Sequence, residues 1–264
     1  MEVFEIEGGK VLSGEIAVSG SKNATTPILA ATLLTSETCV ISNIPRIEDV
    51  FRMLEILEGL GTHVEWRDER TVAITAKDID PARLDAHLVK RLRSSILCLG
   101  SLSARFDQFE FYYPGGCSIG ARPIDTHFDA FAKMGVNIVA DGEKQYRIDA
   151  TKRTARSVVL KEFSVTATEN AMMLAAALPG KTTIKMATAE PHVQDLGMFL
   201  SKMGAKVSGL GTHTIEIEGS VLGGAEHSII PDANEAATFL VLGAATLSDI
   251  VVVNARIEHL EAVI

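Results

Sequence analysis

A helix-forming run recurs along this chain, and that recurrence limits its fold more than any other feature. Asn-Ala-Thr-Thr-Pro-Ile-Leu-Ala-Ala-Thr-Leu-Leu at 23–34 returns as Glu-Asn-Ala-Met-Met-Leu-Ala-Ala-Ala-Leu at 169–178, and again as Asn-Glu-Ala-Ala-Thr-Phe-Leu-Val-Leu-Gly-Ala-Ala at 234–245. A β-branched stretch follows each copy, at 38–44, 181–186 and 249–253. Amphipathic helices then close on Gly61, Gly135 and Gly204, a spacing of about 70 residues, which marks stacked supersecondary modules and excludes a single doubly wound sheet. Strand pairs are predicted at 62–66 and 71–75, 136–140 and 145–149, and 205–208 and 213–217. The turns joining them are Asp-Glu-Arg, Asp-Gly-Glu-Lys and Gly-Leu-Gly-Thr. The fold class is therefore α/β, with three such units filling residues 22–229.

A fourth unit opens at Pro231 and makes its helix and its strand. Arg256-Ile257-Glu258 matches Arg46-Ile47-Glu48, so a second helix is expected from Ile257, with Ile264 at the position of Leu54. Leu260, Val263 and Ile264 are expected on an apolar face with nothing to cover them, which would favour self-association there.

With 264 residues, 47% of them hydrophobic, the chain can bury one or two sizeable cores. A formal charge of −9 argues against general nucleic-acid or membrane-surface binding. No apolar run approaches membrane-spanning length, no His/Cys/Asp/Glu cluster has metal spacing, and no cofactor motif appears. The opening Met-Glu-Val-Phe-Glu-Ile-Glu is acidic and strand-like, unlike a secretory leader. Cys39, in a strand, and Cys98, in an apolar helical run, read as buried small hydrophobes, so a reduced, cytoplasmic protein is expected.

Two segments carry chemistry. Residues 114–123 read Pro-Gly-Gly-Cys-Ser-Ile-Gly-Ala-Arg-Pro. The glycines let backbone approach a ligand, and Cys117 becomes an acid or nucleophile if Arg122 stabilises its thiolate. The alternative is a surface loop with a chance cysteine. Lys22, in Gly-Ser-Lys-Asn, sits at a helix start where a cation is disfavoured by the dipole, so an anion is expected beside it.

Together these segments resemble the enolpyruvyl transferases, and within them the branch acting on UDP-N-acetylglucosamine. The branch acting on shikimate 3-phosphate shares the Gly-Ser-Lys start, lacks the cysteine loop and usually has Ser where Asn23 stands. The resemblance runs from Phe4 to Ile264. It implies an inside-out α/β barrel of repeated units: one complete domain, with residues 1–21 and 230–264 as parts of a second. It implies transfer of the enolpyruvyl group of phosphoenolpyruvate to the sugar 3-hydroxyl, the first committed step of peptidoglycan synthesis.

By the same resemblance, Cys117 and Lys22 are catalytic, Cys117 as proton donor and Lys22 as phosphoenolpyruvate ligand. Asn23, Arg93, Arg122, Pro123, Ile124, Asp125, Thr126, Glu162, Phe163, Ser164 and Val165 hold substrate, with Asp125 at the uracil and 162–165 at the diphosphate. Asn23 has the alternative of a plain helix-start residue. His127 is read as structural, and Glu190 and Asp195 receive no role. Three positions depart from the pattern. Glu162 would repel a diphosphate unless Lys161 compensates, Thr166 replaces a usual Gly, and Ala233 a usual Arg. The sugar-hydroxyl base belongs to the second domain, so the chain by itself is expected to be incomplete for turnover. A non-catalytic UDP-sugar-binding remnant is the other functional reading, and a shikimate-type transferase a third.

Overall fold

The repeated helices are rich in small and apolar residues on every side, so each seeks cover from its neighbours. The computed structural model describes residues 3–115, 123–142 and 145–264. Cys117 and Arg122 lie outside them, as does part of the turn at 141–144. In chain order the elements are β1 (Ser13–Ala17), α1 (Lys22–Ala31), β2 (Thr38–Ser42), α2 (Glu48–Gly59), β3 (His63–Asp68) and β4 (Thr71–Thr75). The second unit contributes α3 (Ala86–Arg91), α4 (Cys98–Arg105), β5 (Gln108–Tyr112), α5 (Asp125–Lys133), β6 (Asn137–Ala140) and β7 (Gln145–Asp149). The third contributes β8 (Ser157–Val159), α6 (Val165–Ala176), β9 (Gly180–Lys185), α7 (Pro191–Met203), β10 (Lys206–Ser208) and β11 (Thr214–Gly219). The remainder is β12 (Glu226–Ser228), α8 (Ala233–Thr246) and β13 (Asp249–Val253).

Each unit places a buried helix inside and a small sheet outside. In α1 every residue from Ala24 to Ala31 is buried, and in α6 every residue from Ala167 to Ala176. Helix α4 supplies the corresponding buried element of the second unit and packs against both α1 and α6. The sheets run β12-β2-β4-β3, β5-β7-β6 and β10-β11-β9-β8. The predicted hairpins form in all three, with antiparallel registers such as Cys39↔Ile74, Phe109↔Ile148 and Ile217↔Thr182. Gly61, Gly135 and Gly204 follow α2, α5 and α7 at φ of 103°, 83° and 122°, the left-handed region where a Cβ is penalised. The strands share a signature too: Asn43, Met186 and Asn254 follow β2, β9 and β13 at φ of 56°, 56° and 58°.

Two parallel pairings extend the hairpin sheets, one within the third unit and one that returns to the first. Strand β8 joins β9, and β12, written after the third unit, returns to the first by pairing Glu226, His227 and Ser228 with Val40, Ile41 and Ser42. One contiguous apolar core runs through the three units. A second, small cluster holds Val18, Ala236 and Leu260, beside the parallel pair β1–β13. That cluster corrects one expectation: Leu260 is 3% exposed because Val18 and Ala236 cover it, whereas Val263 and Ile264 are exposed as anticipated. The expected second helix of the fourth unit is a single 3-10 turn, Ile257–His259.

Candidate active site

A cleft of about 630 Å³ opens where the units meet. Lys22, Asn23 and Thr26 from the start of α1 line it, with Arg93 from the turn before α4 and Pro123 before α5. Glu162, Phe163, Ser164 and Val165 complete the wall at the start of α6. Lys22 and Val165, 143 positions apart in the chain, thus line the same cleft. Ile124 and Thr126 are buried just behind this wall and Asp125 is exposed at the start of α5; none of the three lines the cleft itself.

Local sequence explains how the wall is held. Ser164 caps α6: its side chain accepts from the Ala167 N–H at 3.4 Å, leaving the remaining first-turn donors facing the cleft, where negative charge is favoured. Lys22 has a different partner from the anion expected of it. Its Nζ lies 2.9 Å from Asp49 Oδ2, and the first turn of α1 carries no acid of its own, so α2 supplies the countercharge. Both side chains are more than a third exposed, so the pair is worth little and an incoming anion competes readily. The side chain of Asn23 makes no hydrogen bond among the described residues; Ser21 holds the N-cap position, so Asn23, the second residue of α1, is a first-turn residue and not the cap. Arg93 donates to the Pro114 carbonyl at 3.5 Å and lies over the Tyr113 ring. Phe163, 56% exposed, packs its ring 4.7 Å from that of His213 at the mouth.

Glu162 is restrained in an unexpected way. Lys161 does not compensate it, because Lys161 Nζ is taken by Asp129 at 3.3 Å. Instead Thr126 Oγ1 donates to Glu162 Oε1 at 2.8 Å, which ties the carboxylate toward α5. Thr126 is thereby a support for the wall, reached through a side chain that sequence reasoning had placed at a base-binding position.

The floor holds groups to which the sequence analysis gave no ligand role. His127, Thr166, Glu169 and His192 all line the cleft. Glu169 is 1% exposed and its Oε1 has no hydrogen-bond partner among the described residues; burial first, then the charge of Glu190, pushes its carboxyl well above the ordinary range. Burial lowers His192, against the opposing charges of Glu190, Asp232 and Asp195. His127 is pushed down to about 3 by burial and by Arg93, so it is a neutral imidazole at ordinary pH. The signal was present: Glu169 and Asn170 interrupt an otherwise small and apolar helical run, where an unpaired carboxyl is expensive. A smaller cavity of about 180 Å³ adjoins through Asn23 and His192 and reaches Asp232 and His259. Among the described residues no cluster of three or more His, Cys, Asp or Glu fits a metal ion, and no helix is long and apolar enough to cross a membrane.

Comparison with known proteins places this cleft in context. Residues 6–264 match the profile of the EPSP synthase (3-phosphoshikimate 1-carboxyvinyltransferase) family. The chain is 46% identical over 264 residues to the UDP-N-acetylglucosamine 1-carboxyvinyltransferase 1 of Carboxydothermus hydrogenoformans, covering all of this chain and 62% of that protein. It is 43% identical over 265 residues to the UDP-N-acetylglucosamine 1-carboxyvinyltransferase of Actinobacillus succinogenes, again the whole of this chain and 63% of the relative. The chain therefore spans less than two thirds of the length of these relatives. Among solved structures, the enolpyruvyl transferase NikO of Streptomyces tendae superposes with a TM-score of 0.79 at 25% identity, over 90% of this chain and 56% of that one. The EPSP synthase of Acinetobacter baumannii superposes at 0.71 over 89% of this chain and 53% of its own; at 20% identity it speaks to the fold alone.

Proposed function

The chain belongs to the EPSP synthase family of enolpyruvyl transferases, and from that premise we propose that it takes part in transferring the enolpyruvyl group of phosphoenolpyruvate to the 3-hydroxyl of UDP-N-acetylglucosamine. The observation that carries this reading is the convergence of Lys22, Asn23, Arg93, Pro123 and the 162–165 segment on one cleft. Relatives that match along the whole chain are named for that substrate, which favours it over shikimate 3-phosphate.

In this reading the chain contributes the anion side of the site. Lys22 exchanges Asp49 for the phosphate or carboxylate of phosphoenolpyruvate. Arg93, Arg122 and the α6 start hold the sugar nucleotide, with the forked guanidinium of Arg122 suited to paired oxygens. Cys117 protonates carbon 3 of phosphoenolpyruvate, the sugar oxygen attacks carbon 2 as its hydroxyl proton passes to the base of the second domain, and phosphate then leaves as carbon 3 gives back a proton, which restores the double bond. Protonation builds positive charge at carbon 2, so water must be kept out while it persists. Residues 22–229 are read as one domain and the β1, α8 and β13 region as part of another. Val241, Leu242, Leu247 and Val251, all exposed on that second region, support an apolar partner there, a second copy of the chain included. The nucleotide-sugar substrate and the absence of any patterned cysteines suit a cytoplasmic step of peptidoglycan synthesis.

Calorimetric titration tests this reading. UDP-N-acetylglucosamine is expected to bind, Arg93→Ala to weaken it, and phosphoenolpyruvate with the sugar nucleotide to leave a mass adduct on Cys117 ahead of Cys39 or Cys98. Preferential binding of shikimate 3-phosphate, or a first adduct on Cys98, overturns it.

A further inference from the structure

Thr166 is the second residue of α6 and stands on the cleft wall. Among the described residues its Oγ1 makes one hydrogen bond, at 3.0 Å to His127 Nε2. The other ring nitrogen, Nδ1, lies 3.0 Å from Asn170 Nδ2. The direction of this chain is fixed at its buried end. The Gly100 N–H donates to Asn170 Oδ1 at 2.7 Å, which settles which end of that amide is oxygen. A Cβ at Gly100 would come within 2.7 Å of the Asn170 carbonyl oxygen, so only glycine lets α4 make this approach. The Asn170 amino group then has two hydrogens and two acceptors, the Ile96 carbonyl at 3.0 Å and His127 Nδ1.

Since Nδ1 accepts, the neutral imidazole carries its hydrogen on Nε2 and gives it to Thr166 Oγ1. One lone pair of the hydroxyl is thereby occupied and its own hydrogen remains. Threonines in helices commonly send that hydrogen back to the carbonyl four residues earlier. Thr25 does so to Ser21, Thr168 to Ser164 and Thr238 to Asn234. Thr166 does not, and its half-exposed hydroxyl opens on the cleft.

We infer that Thr166 is a specificity-determining donor, aimed by the Asn170–His127 relay at a phosphoryl oxygen of the nucleoside diphosphate in the cleft. This rests on the UDP-sugar reading above and adds to it a side chain outside the expected ligand set. The surroundings suit an anionic acceptor: the α6 start is adjacent, and Arg93 is close enough to bear on His127. Because burial holds His127 neutral down to about pH 3, the relay keeps one direction over the whole working range. His127 and Asn170 act through Thr166 and are positioning residues.

Thr166→Val keeps the shape and removes the donor, while Thr166→Ser keeps it. Nitrogen NMR of the free protein is expected to find His127 protonated at Nε2, with that signal moving when UDP is added. By calorimetry, Thr166→Val is expected to weaken UDP-N-acetylglucosamine and UDP about tenfold or more, with Ser restoring most of the loss and uridine unaffected by either change. Protonation at Nδ1, or equal UDP affinity in the Val variant and the wild type, overturns the inference. Should the wild type fail to bind UDP-N-acetylglucosamine, the substrate reading falls by itself, and inorganic pyrophosphate then reads the donor alone. Weaker pyrophosphate binding by Thr166→Val upholds it, and equal or absent binding overturns it.

Discussion

In α6 every residue from Ala167 to Ala176 is buried; in α8, a later copy of the same repeat, only Ala236 and Gly243 are. Both helices are rich in small and apolar residues, and both are capped by a side chain, Ser164 in one and Asp232 in the other. What differs is the company. Helix α6 touches α4, α5, α7 and β11, whereas α8 packs on β13 and leaves Val241 58% exposed. Repeat composition therefore specifies a helix that seeks cover, and the neighbours decide how much of it is covered. Full cover also lets α6 do what α8 does not: hold Glu169 and Asn170 inside, where a polar group is forced into a fixed arrangement.

The sharpest way to break this comparison is truncation. Leu174→Ala, in the fully buried helix, is expected to cost about 2–5 kcal/mol in denaturant unfolding, and Val241→Ala within about 0.5 kcal/mol. Similar costs at the two sites would mean that α8 is as deeply packed as α6.

Arg93→Ala comes next. It is expected to lower UDP-N-acetylglucosamine affinity by about 1.5–3 kcal/mol in calorimetry, the range for a hydrogen bond to a charged group. The matching change on α8, Asn234→Ala, should leave that affinity unchanged.

The pH dependence of stability divides the cleft floor by sign. Glu169 has its folded carboxyl raised well above its ordinary value of 4.5, so the stability it contributes is complete below that pH and is lost as pH rises. Glu169→Gln should therefore unfold at higher denaturant than the wild type at neutral pH, and the advantage should vanish as pH falls to about 4.5. His127 runs the other way. Its folded value is depressed from 6.5 to about 3, so stability present above pH 6.5 is lost on acidification through that window. Unfolding curves taken at steps of pH, with Glu169→Gln beside the wild type, separate the two.

The smallest effect belongs to Asp49. Asp49→Asn removes the partner of Lys22 while changing stability by less than about 1 kcal/mol, because the pair is solvent-exposed. Phosphoenolpyruvate binding should tighten. Weaker binding instead would show that Asp49 holds Lys22 in the geometry the anion needs.

Much of the architecture was legible because it rests on local rules. Gly61, Gly135 and Gly204 mark helix ends through a backbone conformation that other residues resist, and the β-branched run at 249–253 coincides with β13. Strands β8 and β12 were not legible. Each is three residues long and exists by parallel pairing with a strand far along the chain, β9 beyond α6 for β8 and β2 of the first unit for β12, information that no short window of sequence contains. Helix α4 performs the buried-helix role in the second unit with a sequence too unlike the repeat to be matched to it. In the cleft, Lys22, Asn23, Arg93, Pro123 and residues 162–165 were named from motif resemblance, whereas Thr26 and Ser94 were not. The His127–Thr166–Asn170 network joins residues 39 and 43 positions apart and required the fold. Lys22 and Glu162 show the limit most plainly, since their charges were read correctly while their partners, Asp49 and Thr126, sit on other helices.

The return of β12 to β2 has a consequence for how the chain comes into being. Ser42 and His227, which meet at that seam, are 185 residues apart. Until His227 is available, β2 offers Thr38–Ser42 as an open edge, its apolar Cys39, Val40 and Ile41 able to pair with any passing strand. At synthesis rates of about 5–20 residues per second, that edge waits on the order of 10–40 s on a ribosome. Closing so long a loop adds entropy cost slowly with length but delays the contact, so the first unit to be made is among the last to be finished. The seam, more than any single unit, is where a nascent chain of this protein is exposed to misassembly and where a chaperone would find its purchase.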